Sequence, residues 1–413
     1  MILQADLRHL ICTLSDALDL VGVDDVGHGK RVGVMAAECG RRAGLAPEEV
    51  TFLFDLGMLH DIGVSSTQVH HNIITTFAAP DVQAHCDTGA GLLASFQPLA
   101  SLAPAVKRHH TPWTRLMEEG IDPALAWQAN LVFLVDRVDA LAVTHHSQGS
   151  PILHAPEIRE RIRQHSGTDF NPELVDLFLE TSGSEAFWLM LEPRPMNDFI
   201  QEVHSQRLGY AASMGDLRQL AEIFSRIVDA KSPFTAEHSL GVAELSRFLA
   251  RKMELGESSQ RKLEIAGLLH DVGKLRVPDE ILDKPGQLDW QERQVINTHS
   301  FETYQILRHL HGFEEIAQWT AHHHEAPGGG GYPFHLDASL LPLEARILRI
   351  ADIFQAMVQD RPYRRGLNQT QALAFMTNLS ARGLAEPEIV AHLVSCGGEA
   401  MAAAHAGVRR DQA

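Results

Sequence analysis

Cysteine is scarce in this chain of 413 residues. The four cysteines are far apart and none belongs to a Cys-x-x-Cys pair: Cys12, Cys39, Cys86 and Cys396. This spacing argues against a disulfide framework and against a zinc site built from thiolates. We expect these four residues to be small hydrophobic side chains of the core.

Basic residues are also few. The chain has 35 lysines and arginines against 53 aspartates and glutamates, which leaves a formal net charge of -18. A surface with this charge repels polyanions, which argues against general binding to nucleic acid or to an anionic membrane. Any phosphate group has to be bound by a local cluster of cations.

Long apolar runs are missing as well. The first twenty residues carry Asp6, Arg8 and Asp16 within an apolar pattern, which is typical of an amphipathic helix and not of a signal peptide. The most apolar later stretch, 124–143, is interrupted by two aspartates and an arginine. It falls short of the ~20 apolar residues that a membrane helix needs. We therefore expect a cytoplasmic protein without a transmembrane segment.

Histidine, by contrast, is abundant. The chain has 24 histidines, several of them in adjacent pairs, and this composition favours a histidine-rich metal site. Hydrophobic residues make up 45% of the chain, so a disordered or fibrous protein is excluded. The length predicts two or three globular domains.

The sequence repeats itself over nearly a whole domain. The peptide LLHDVGK at 268–274 has an earlier counterpart, MLHDIGV, at 58–64. In both copies a histidine lies 32 residues before the His-Asp pair, and another histidine, a histidine pair and an aspartate follow at matching distances. The repeat predicts two homologous domains, 1–205 and 212–400. The polar, proline-containing segment 193–210 is typical of a connector.

Both His-Asp pairs follow a helical pattern. Histidine and three apolar or small residues share one helix face at positions i, i+3, i+4 and i+7: Leu263, Ala266, Gly267 and His270, repeated as Leu53, Leu56, Gly57 and His60. Alternating hydrophobic runs bounded by hairpin signals are missing. The sequence therefore predicts an all-α fold in which each His-Asp pair ends a helix with a buried apolar face.

Seven side chains of the second copy are candidates for one buried cluster. They are five imidazoles and two carboxylates from separate predicted helices: His238, His270, Asp271, His299, His323, His324 and Asp352. Any one of them could be a core residue satisfied by hydrogen bonds. Burying all seven without compensation would cost several kcal/mol each. A transition metal such as iron, manganese or zinc would relieve that cost, and Asp271 could bridge two ions.

The order of these residues resembles the HD superfamily of metal-dependent phosphohydrolases, which is all-helical. The second copy is more similar still to the HD-GYP family of cyclic-di-GMP phosphodiesterases. Four segments carry this resemblance, in the family's order: HDVGKLRVPDEILDKPGQL, HHEAPGGGGYP, ARILRIADIFQAM and RPYR. The resemblance implies hydrolysis of cyclic-di-GMP to linear pGpG, or onward to GMP.

Carried over residue by residue, the resemblance implies two divalent transition-metal ions, iron or manganese. It assigns one ion to His238, His270, Asp271 and Asp352, and the other to Asp271, His299, His323 and His324. Lys274, Arg361 and Arg364 match phosphate contacts, and Tyr332 matches a loop residue that reaches the ligand. The chemistry agrees, because two ions can hold a hydroxide in line with phosphorus while three cations neutralise the diester oxygens. Asp271 and Lys274 are the expected catalytic side chains.

Two of these interpretations have simpler alternatives. The three cations could be ordinary solvated surface charges. The glycine run at 328–331 could be a flexible linker instead of a backbone that lets a bulky ligand approach.

The chain departs from the family pattern at several positions. Phe234 replaces a glutamate that joins a third ion in some members, which predicts a dinuclear site. Segment 327–329 replaces a Trp-Asp-Gly stretch, Thr303 replaces a glycine and Gln355 an aspartate. None of these positions is a proposed ligand, so we expect the departures to affect substrate preference more than chemistry.

The first copy keeps every candidate ligand: His28, His60, Asp61, His85, His109, His110 and Asp136. It lacks the Gly-Tyr-Pro motif, and Val64, His145 and Gln148 stand where the second copy has cations. Diester charge would be uncompensated there. We interpret this copy as a degenerate domain that retains metal for a regulatory or scaffolding role. A second catalytic site, hydrolysis of a mononucleotide and a third ion at Asp24 remain alternatives.

The leading hypothesis is thus a phosphodiesterase that acts on cyclic-di-GMP. One alternative is hydrolysis of 3′3′-cGAMP or another cyclic dinucleotide. Another is a receptor or scaffold that binds a cyclic dinucleotide without turnover. Besides the dinucleotide, the partners under consideration are a second copy of the chain and a GGDEF-type protein.

Overall fold

The computed structural model describes residues 7–21, 27–75, 82–146, 151–205, 212–231, 238–310, 312–360 and 365–406. Their regular structure is helical, and they contain isolated bridges but no β-strand. The prediction of an all-α fold is confirmed. Among these residues, no helix has both the length and the apolar character that a membrane span requires.

The chain divides into two compact units, one containing Asp6–Gly209 and the other Tyr210–Ala413. We call them the N-terminal and the C-terminal unit. The α-helices of the N-terminal unit are α1 (Leu7–Asp19), α2 (His28–Arg42), α3 (Pro47–Leu59), α4 (Thr67–Thr75), α5 (Val82–Ala94), α6 (Ala103–Val106), α7 (Trp113–Glu118), α8 (Pro123–His146), α9 (Ala155–Gln164), α10 (Pro172–Thr181), α11 (Glu185–Leu189) and α12 (Pro193–Ser205). Short 3-10 helices lie at Gln97–Leu102 and Pro151–His154.

The C-terminal unit repeats much of this order. Its α-helices are α13 (Met214–Lys231), α14 (His238–Lys252), α15 (Glu257–Leu269), α16 (Asp279–Leu282), α17 (Trp290–Asn297), α18 (His299–Leu307), α19 (Glu314–Ala321), α20 (Leu343–Val358), α21 (Gln369–Ala381), α22 (Pro387–Ser395) and α23 (Gly397–Ala404). A 3-10 helix at Val272–Arg276 follows α15 directly.

The two units place the His-Asp pair in the same local structure. Helices α2 and α14 each have 15 residues and begin at a histidine, and α3 and α15 each have 13 residues and end just before the pair. Within each unit these two helices cross closely at a glycine. A Cβ on Gly57 would lie 2.6 Å from Gly33 Cα, and one on Gly267 would lie 2.5 Å from Ala243 Cα. Glycine is therefore required for the close approach that brings the first histidine to the pair.

Residues 193–205 of the predicted connector form α12, and residues 206–210 lie outside the described residues. Met196, Phe199, Ile200 and Val203 are buried and follow the spacing i, i+3, i+4 and i+7 of an amphipathic helix. The Phe199 ring packs 5.6 Å from the Phe54 ring within the N-terminal unit. The prolines that suggested a linker lie in the first turn of the helix, where proline is tolerated.

The four cysteines all lie within the described residues, and none of them forms a disulfide bond. Cys39 and Cys86 are buried, as expected for small hydrophobic residues, whereas Cys12 and Cys396 are only half-buried.

Candidate active site

The C-terminal unit brings its seven candidate ligands together from five places in the fold. His238 begins α14, the His-Asp pair follows α15, His299 begins α18, the histidine pair follows α19, and Asp352 lies within α20. Their donor atoms form overlapping groups within 4.8 Å: His238, His270 and Asp352; His270, Asp271 and His323; His299, His323 and His324. Residues that are distant in sequence thus form one cluster.

The Asp271 carboxylate lies between two sets of imidazoles. Its Oδ2 is 3.2 Å from His270 Nε2 and 3.7 Å from His238 Nε2. Its Oδ1 is 3.5 Å from His299 Nε2 and 4.0 Å from His323 Nε2. Each oxygen faces a different pair of histidines, which is the arrangement that a bridging carboxylate requires.

Backbone carbonyls fix the orientation of three of these imidazoles. The Nδ1–H groups of His270, His299 and His323 donate to the carbonyl oxygens three residues earlier, at 2.8, 2.5 and 2.6 Å. In the neutral ring this leaves the Nε2 lone pair directed into the cluster. Helix geometry therefore prepares these nitrogens as ligands.

Burial and neighbouring charges set the protonation of the cluster. Burial lowers the pKa of His299 to about 4 and that of His323 to about 3, so both rings are neutral at pH 7. Burial also lowers the pKa of His324 well below its usual value. Burial alone would raise the pKa of Asp271, but His270 and Lys274 hold it well below the ordinary range. Burial alone would lower the pKa of His270, but the charges of Asp271 and Asp352 outweigh this effect and raise it. His299, His323 and His324 thus offer neutral imidazoles and Asp271 an ionised carboxylate, which are the forms that bind metal.

The donor set and its spacing fit transition-metal ions. Two buried atoms, His270 Nε2 and Asp271 Oδ1, have no hydrogen-bond partner within the described residues. Metal–ligand bonds of about 2.0–2.2 Å place neighbouring donors about 3.0–3.5 Å apart, close to the shorter nitrogen–oxygen distances of 3.2–3.5 Å measured here. Nitrogen and carboxylate ligands without thiolate suit iron, manganese or zinc.

Two of the departures from the family pattern contact this cluster. The expectation that they affect substrate preference more than chemistry stays a prediction. His238 Nδ1 donates to Gln355 Oε1 at 2.5 Å. Thr303 Oγ1 accepts from Gly273 N at 2.9 Å and donates to the His270 carbonyl at 3.1 Å. Gln355 thus orients a candidate ligand, and Thr303 ties α18 to the His-Asp turn.

Glu325 was not predicted from the sequence, although it follows the histidine pair directly. Its buried carboxylate accepts three backbone N–H bonds, from Phe334 at 2.6 Å, His335 at 3.1 Å and Leu336 at 3.0 Å. The loop held in this way contains the Gly-Tyr-Pro motif. An acid beside a glycine-rich segment was the available signal, but only the structure identifies what it binds.

The same loop brings Tyr332 onto the cluster. The Tyr332 ring stacks on the His324 ring, with centroids 4.7 Å apart and planes 29° from parallel. A Cβ on Gly331 would lie 2.4 Å from Glu325 Cα, so this glycine is needed for contact between the loop and the protein's own backbone. A Cβ on Gly330, in contrast, would have nothing within 4 Å.

Of the three predicted phosphate contacts, only Lys274 lies within the described residues. Lys274 donates to Asp271 Oδ2 at 2.5 Å, so its ammonium lies within the cluster. Arg361 and Arg364 lie outside the described residues, as does Phe234. A further cation, Arg349, lies one helical turn before Asp352 and interacts electrostatically with Asp352, Tyr332 and Glu325. Arg349 was not among the residues predicted from the sequence.

Aromatic side chains form an exposed patch beside the Gly-Tyr-Pro loop. Phe334 is 39% exposed, and its ring centroid lies 5.5 Å from His322, 6.2 Å from Phe301 and 6.5 Å from Tyr304. Phe301 is itself 41% exposed. We call these four residues the aromatic patch. Its position next to the candidate ligands makes it available to a planar group of a bound molecule.

The N-terminal unit forms a second cluster from the first copy of the repeat. All seven of its candidate ligands are buried: His28, His60, Asp61, His85, His109, His110 and Asp136. The donor atoms of six of them fall into two groups that share Asp61. Asp136 belongs to neither group, but its Oδ1 lies 3.4 Å from His28 Nε2. Val64, at the position of Lys274, is buried. Phe133, at the position of Arg349, packs on the His110 ring at 5.4 Å. Asp24 and Gln148 lie outside the described residues, as does the side chain of His145.

Comparison with known proteins identifies relatives along the whole chain. The family model described as "HD domain" matches residues 222–389. The protein named 3′3′-cGAMP-specific phosphodiesterase 1 of Vibrio cholerae is 34% identical over 402 residues, which cover 95% of this chain and 89% of the relative. The protein named 3′3′-cGAMP-specific phosphodiesterase 3 of the same species is 30% identical, covering 73% of this chain and 64% of the relative.

Other matches cover the chain to different extents. A cyclic di-GMP phosphodiesterase of Pseudomonas aeruginosa is 33% identical over 45% of this chain and 46% of its own length. A crystal structure of a cyclic GMP-AMP-specific phosphodiesterase of V. cholerae superposes with a TM-score of 0.64 at 25% identity. It covers 95% of this chain and 97% of that chain.

Proposed function

Since the chain belongs to the HD-GYP family of cyclic-dinucleotide phosphodiesterases, we propose that its C-terminal unit hydrolyses 3′3′-cGAMP to a linear dinucleotide. The chain is a phosphodiesterase of cyclic dinucleotides. The preferred dinucleotide, the linear product and the two-ion mechanism are the parts that we propose.

The extent of the matches supports 3′3′-cGAMP over cyclic-di-GMP. The relatives that align with 95% and 73% of this chain are both named as specific for 3′3′-cGAMP. The cyclic-di-GMP phosphodiesterase of P. aeruginosa aligns with 45% of it. The C-terminal unit also carries the altered segment 327–329 beside the Gly-Tyr-Pro motif. We therefore place 3′3′-cGAMP ahead of cyclic-di-GMP, the substrate that the family resemblance alone implies.

The observation that carries the proposal is the two-sided Asp271 carboxylate. Two bound metal ions would supply a water of lowered pKa and would offset charge on the phosphodiester. His238, His270 and Asp352 would hold one ion, and His299, His323 and His324 the other, with Asp271 shared between them. The Lys274 ammonium donates a hydrogen bond to the same carboxylate, so its positive charge lies where it can contact a phosphate oxygen. Arg361 and Arg364 keep their proposed role as further phosphate contacts.

The aromatic patch provides a surface for one purine base of the substrate. Nucleobases stack on exposed aromatic rings whatever their hydrogen-bonding pattern. Phe334 is two residues from Tyr332, whose ring lies on His324, so a base on Phe334 would remain close to the reacting phosphate. Glu325 is a positioning residue in this arrangement, because it holds the backbone of residues 334–336.

The N-terminal unit lacks much of this machinery. Val64 replaces the lysine and Phe133 replaces Arg349, and the first copy has no Gly-Tyr-Pro motif. Developing charge on a diester would have no cation at these positions. We assign the N-terminal unit a regulatory or scaffolding role. A homodimer, a GGDEF-type partner and a cytoplasmic location stay predictions.

The substrate is tested with the purified full chain, loaded with Mn²⁺ or Fe²⁺. The protein is incubated with equal concentrations of 3′3′-cGAMP, cyclic-di-GMP and cyclic-di-AMP, and the products are separated by chromatography. We expect linearisation of 3′3′-cGAMP at the highest kcat/KM. Faster cleavage of cyclic-di-GMP would return the assignment to that substrate, and binding without any product would favour the receptor alternative.

The Asp271→Ala variant tests the site in the same assay. We expect loss of turnover together with loss of metal, because removing the shared carboxylate leaves two cations without the charge between them. Glu388→Gln is the matched control, because Glu388 is an exposed acid of the same unit. Normal turnover and metal content in Asp271→Ala would contradict the two-ion site.

A further inference from the structure

The N-terminal cluster lies outside the region that the HD domain model matches, which is confined to residues 222–389. Its donors nevertheless form two compact groups, one of His28, His60 and Asp61 and the other of Asp61, His85, His109 and His110. Donor atoms within each group are within 4.8 Å of one another. Asp61 is common to both groups. In the other unit, the two oxygens of Asp271 likewise face two different pairs of histidines.

Asp61 divides its two oxygens between the groups. Its Oδ1 lies 3.4 Å from both His85 Nε2 and His109 Nε2. Its Oδ2 lies 3.5 Å from His60 Nε2 and 3.8 Å from His28 Nε2. Neither oxygen has a hydrogen-bond partner among the described residues, although Asp61 is only 7% exposed. Burying an ionised carboxylate without hydrogen bonds costs folding free energy unless a cation compensates its charge.

The imidazole nitrogens face one another at a spacing that suits the ligands of a metal ion. His28 Nε2 and His60 Nε2 are 3.3 Å apart, as are His85 Nε2 and His109 Nε2. The Nδ1–H groups of His60 and His109 donate to the carbonyls of Gly57 and Val106. Their Nε2 atoms therefore carry lone pairs in the neutral rings. A metal ion with bonds of about 2.0–2.2 Å separates its ligands by about 3.0–3.5 Å, which matches this spacing.

A network of protonated histidines and carboxylates is the alternative arrangement. Such a network requires hydrogen bonds of about 2.7–3.2 Å. Asp139, in the same unit, is a carboxylate with hydrogen bonds of this length. Arg31 donates to it at 2.7 and 2.9 Å, and His28 Nδ1 lies 2.8 Å from its Oδ2. The nitrogen–oxygen distances at Asp61 are all longer than these. The Asp139 contact also fixes the His28 ring, as a carboxylate beside a metal-bound histidine does.

The surroundings of the cluster differ from those of the C-terminal site. A cavity beside His28, His60 and Asp61 is lined by apolar side chains that include Leu18, Val21, Met58 and Val64. Val64 stands at the position of Lys274, so this position offers no cation to a phosphodiester. The lining is therefore consistent with bound ions and water, and it lacks a charge that the substrate of the other unit would need.

We propose that the N-terminal unit holds a second dinuclear transition-metal centre, which is structural and does not hydrolyse the cyclic dinucleotide. Asp61 bridges the two ions. His28, His60 and Asp136 complete the ligands of one ion, and His85, His109 and His110 those of the other. Because these residues come from α2, α5, α8 and the turns after α3 and α6, the ions join these five helices around one point.

Metal counting on the full chain tests this proposal. The protein is stripped with a chelator and reloaded with Mn²⁺, and bound manganese is measured by mass spectrometry of the metal. We expect about four ions per chain in the wild type if each unit holds a bridged pair. Asp61→Asn should lose about half of them, and Asp271→Asn should lose the other half. His71→Ala replaces an exposed histidine of the N-terminal unit and should keep the wild-type count.

The Asp271→Asn arm remains decisive if Asp61→Asn fails to fold, because it leaves the N-terminal unit unchanged. Retention of about two ions in Asp271→Asn supports the second centre, whether or not the wild type cleaves any dinucleotide. The proposal is overturned if Asp271→Asn binds no manganese, or if folded Asp61→Asn binds as much as the wild type. If 3′3′-cGAMP is not the substrate, the turnover assay would show it, but the number of bound manganese ions would not change.

Discussion

Replacing Glu325 by glutamine should impair turnover without removing metal. The Glu325 carboxylate is buried and accepts N–H bonds from Phe334, His335 and Leu336. Glutamine has nearly the same shape but only one acceptor oxygen. Its amide NH₂ group would face at least one of the three N–H donors and leave that donor unsatisfied.

The size of the effect follows from this unsatisfied donor. Leaving a buried donor without a partner costs about 1–3 kcal/mol, which corresponds to about a 5- to 150-fold loss in the population of the ordered loop. Tyr332 stacks on His324, and Phe334 belongs to the aromatic patch, so the same loop supports both. We expect kcat/KM to fall within that range, mainly through a higher KM.

Steady-state kinetics and metal content together test this prediction. The bonds of the Glu325 carboxylate go to the loop backbone and not to the candidate metal ligands, so manganese content should equal that of the wild type. Glu388→Gln, at an exposed position of the same unit, is the control. Unchanged kinetics in Glu325→Gln would refute the positioning role. Loss of metal with no change in KM would show that Glu325 supports the ligands instead of the loop.

Three further predictions concern the C-terminal unit. Phe334→Ala should raise KM by about 5- to 150-fold with little change in kcat, since base stacking contributes about 1–3 kcal/mol. Phe375→Ala, at another exposed phenylalanine, is the control. An equal effect in both variants would rule out a specific base contact. Gly273→Ala should lower the melting temperature and the metal content, because the new Cβ would lie 2.1 Å from the His299 carbonyl oxygen, whereas Gly256→Ala has open space; a stable, metal-replete Gly273→Ala protein would contradict the packing. In the metal-free protein, burial raises the pKa of Asp229 from 3.8 to about 7, so its contribution to stability is fully present below the ordinary value and is lost as pH rises through 7. Asp229→Asn should therefore melt higher than the wild type at pH 8 and nearly equally at pH 4, and a difference that does not change with pH would contradict this.

Periodicity and repetition were sufficient to predict much of the fold. The histidine stripes ending at His60 and His270 predict two helices that end at the His-Asp pair, and α3 and α15 do so. In segment 193–205 the prolines and polar residues suggested a connector, whereas the structure shows a helix with a buried stripe that includes Phe199 and Val203. Prolines in the first turn of a helix give the same composition as a linker.

The candidate ligands could be selected from sequence because their types and spacing repeat. Their supporting contacts could not, since these depend on which side chains meet across helices. Gln355 and Thr303 are ordinary polar residues in sequence, yet they contact His238 and the His270 carbonyl. Glu325 looked like part of a motif, but its function depends on the path of the loop that it binds.

The measurement that bears most directly on the central claim is turnover of 3′3′-cGAMP by two full-length, metal-loaded variants. One carries Ala at His60 and Asp61, and the other carries Ala at His270 and Asp271. We predict that the first variant keeps most of the wild-type product formation and that the second forms none. Product from the second variant, with loss of activity in the first, would contradict the assignment of catalysis to the C-terminal unit.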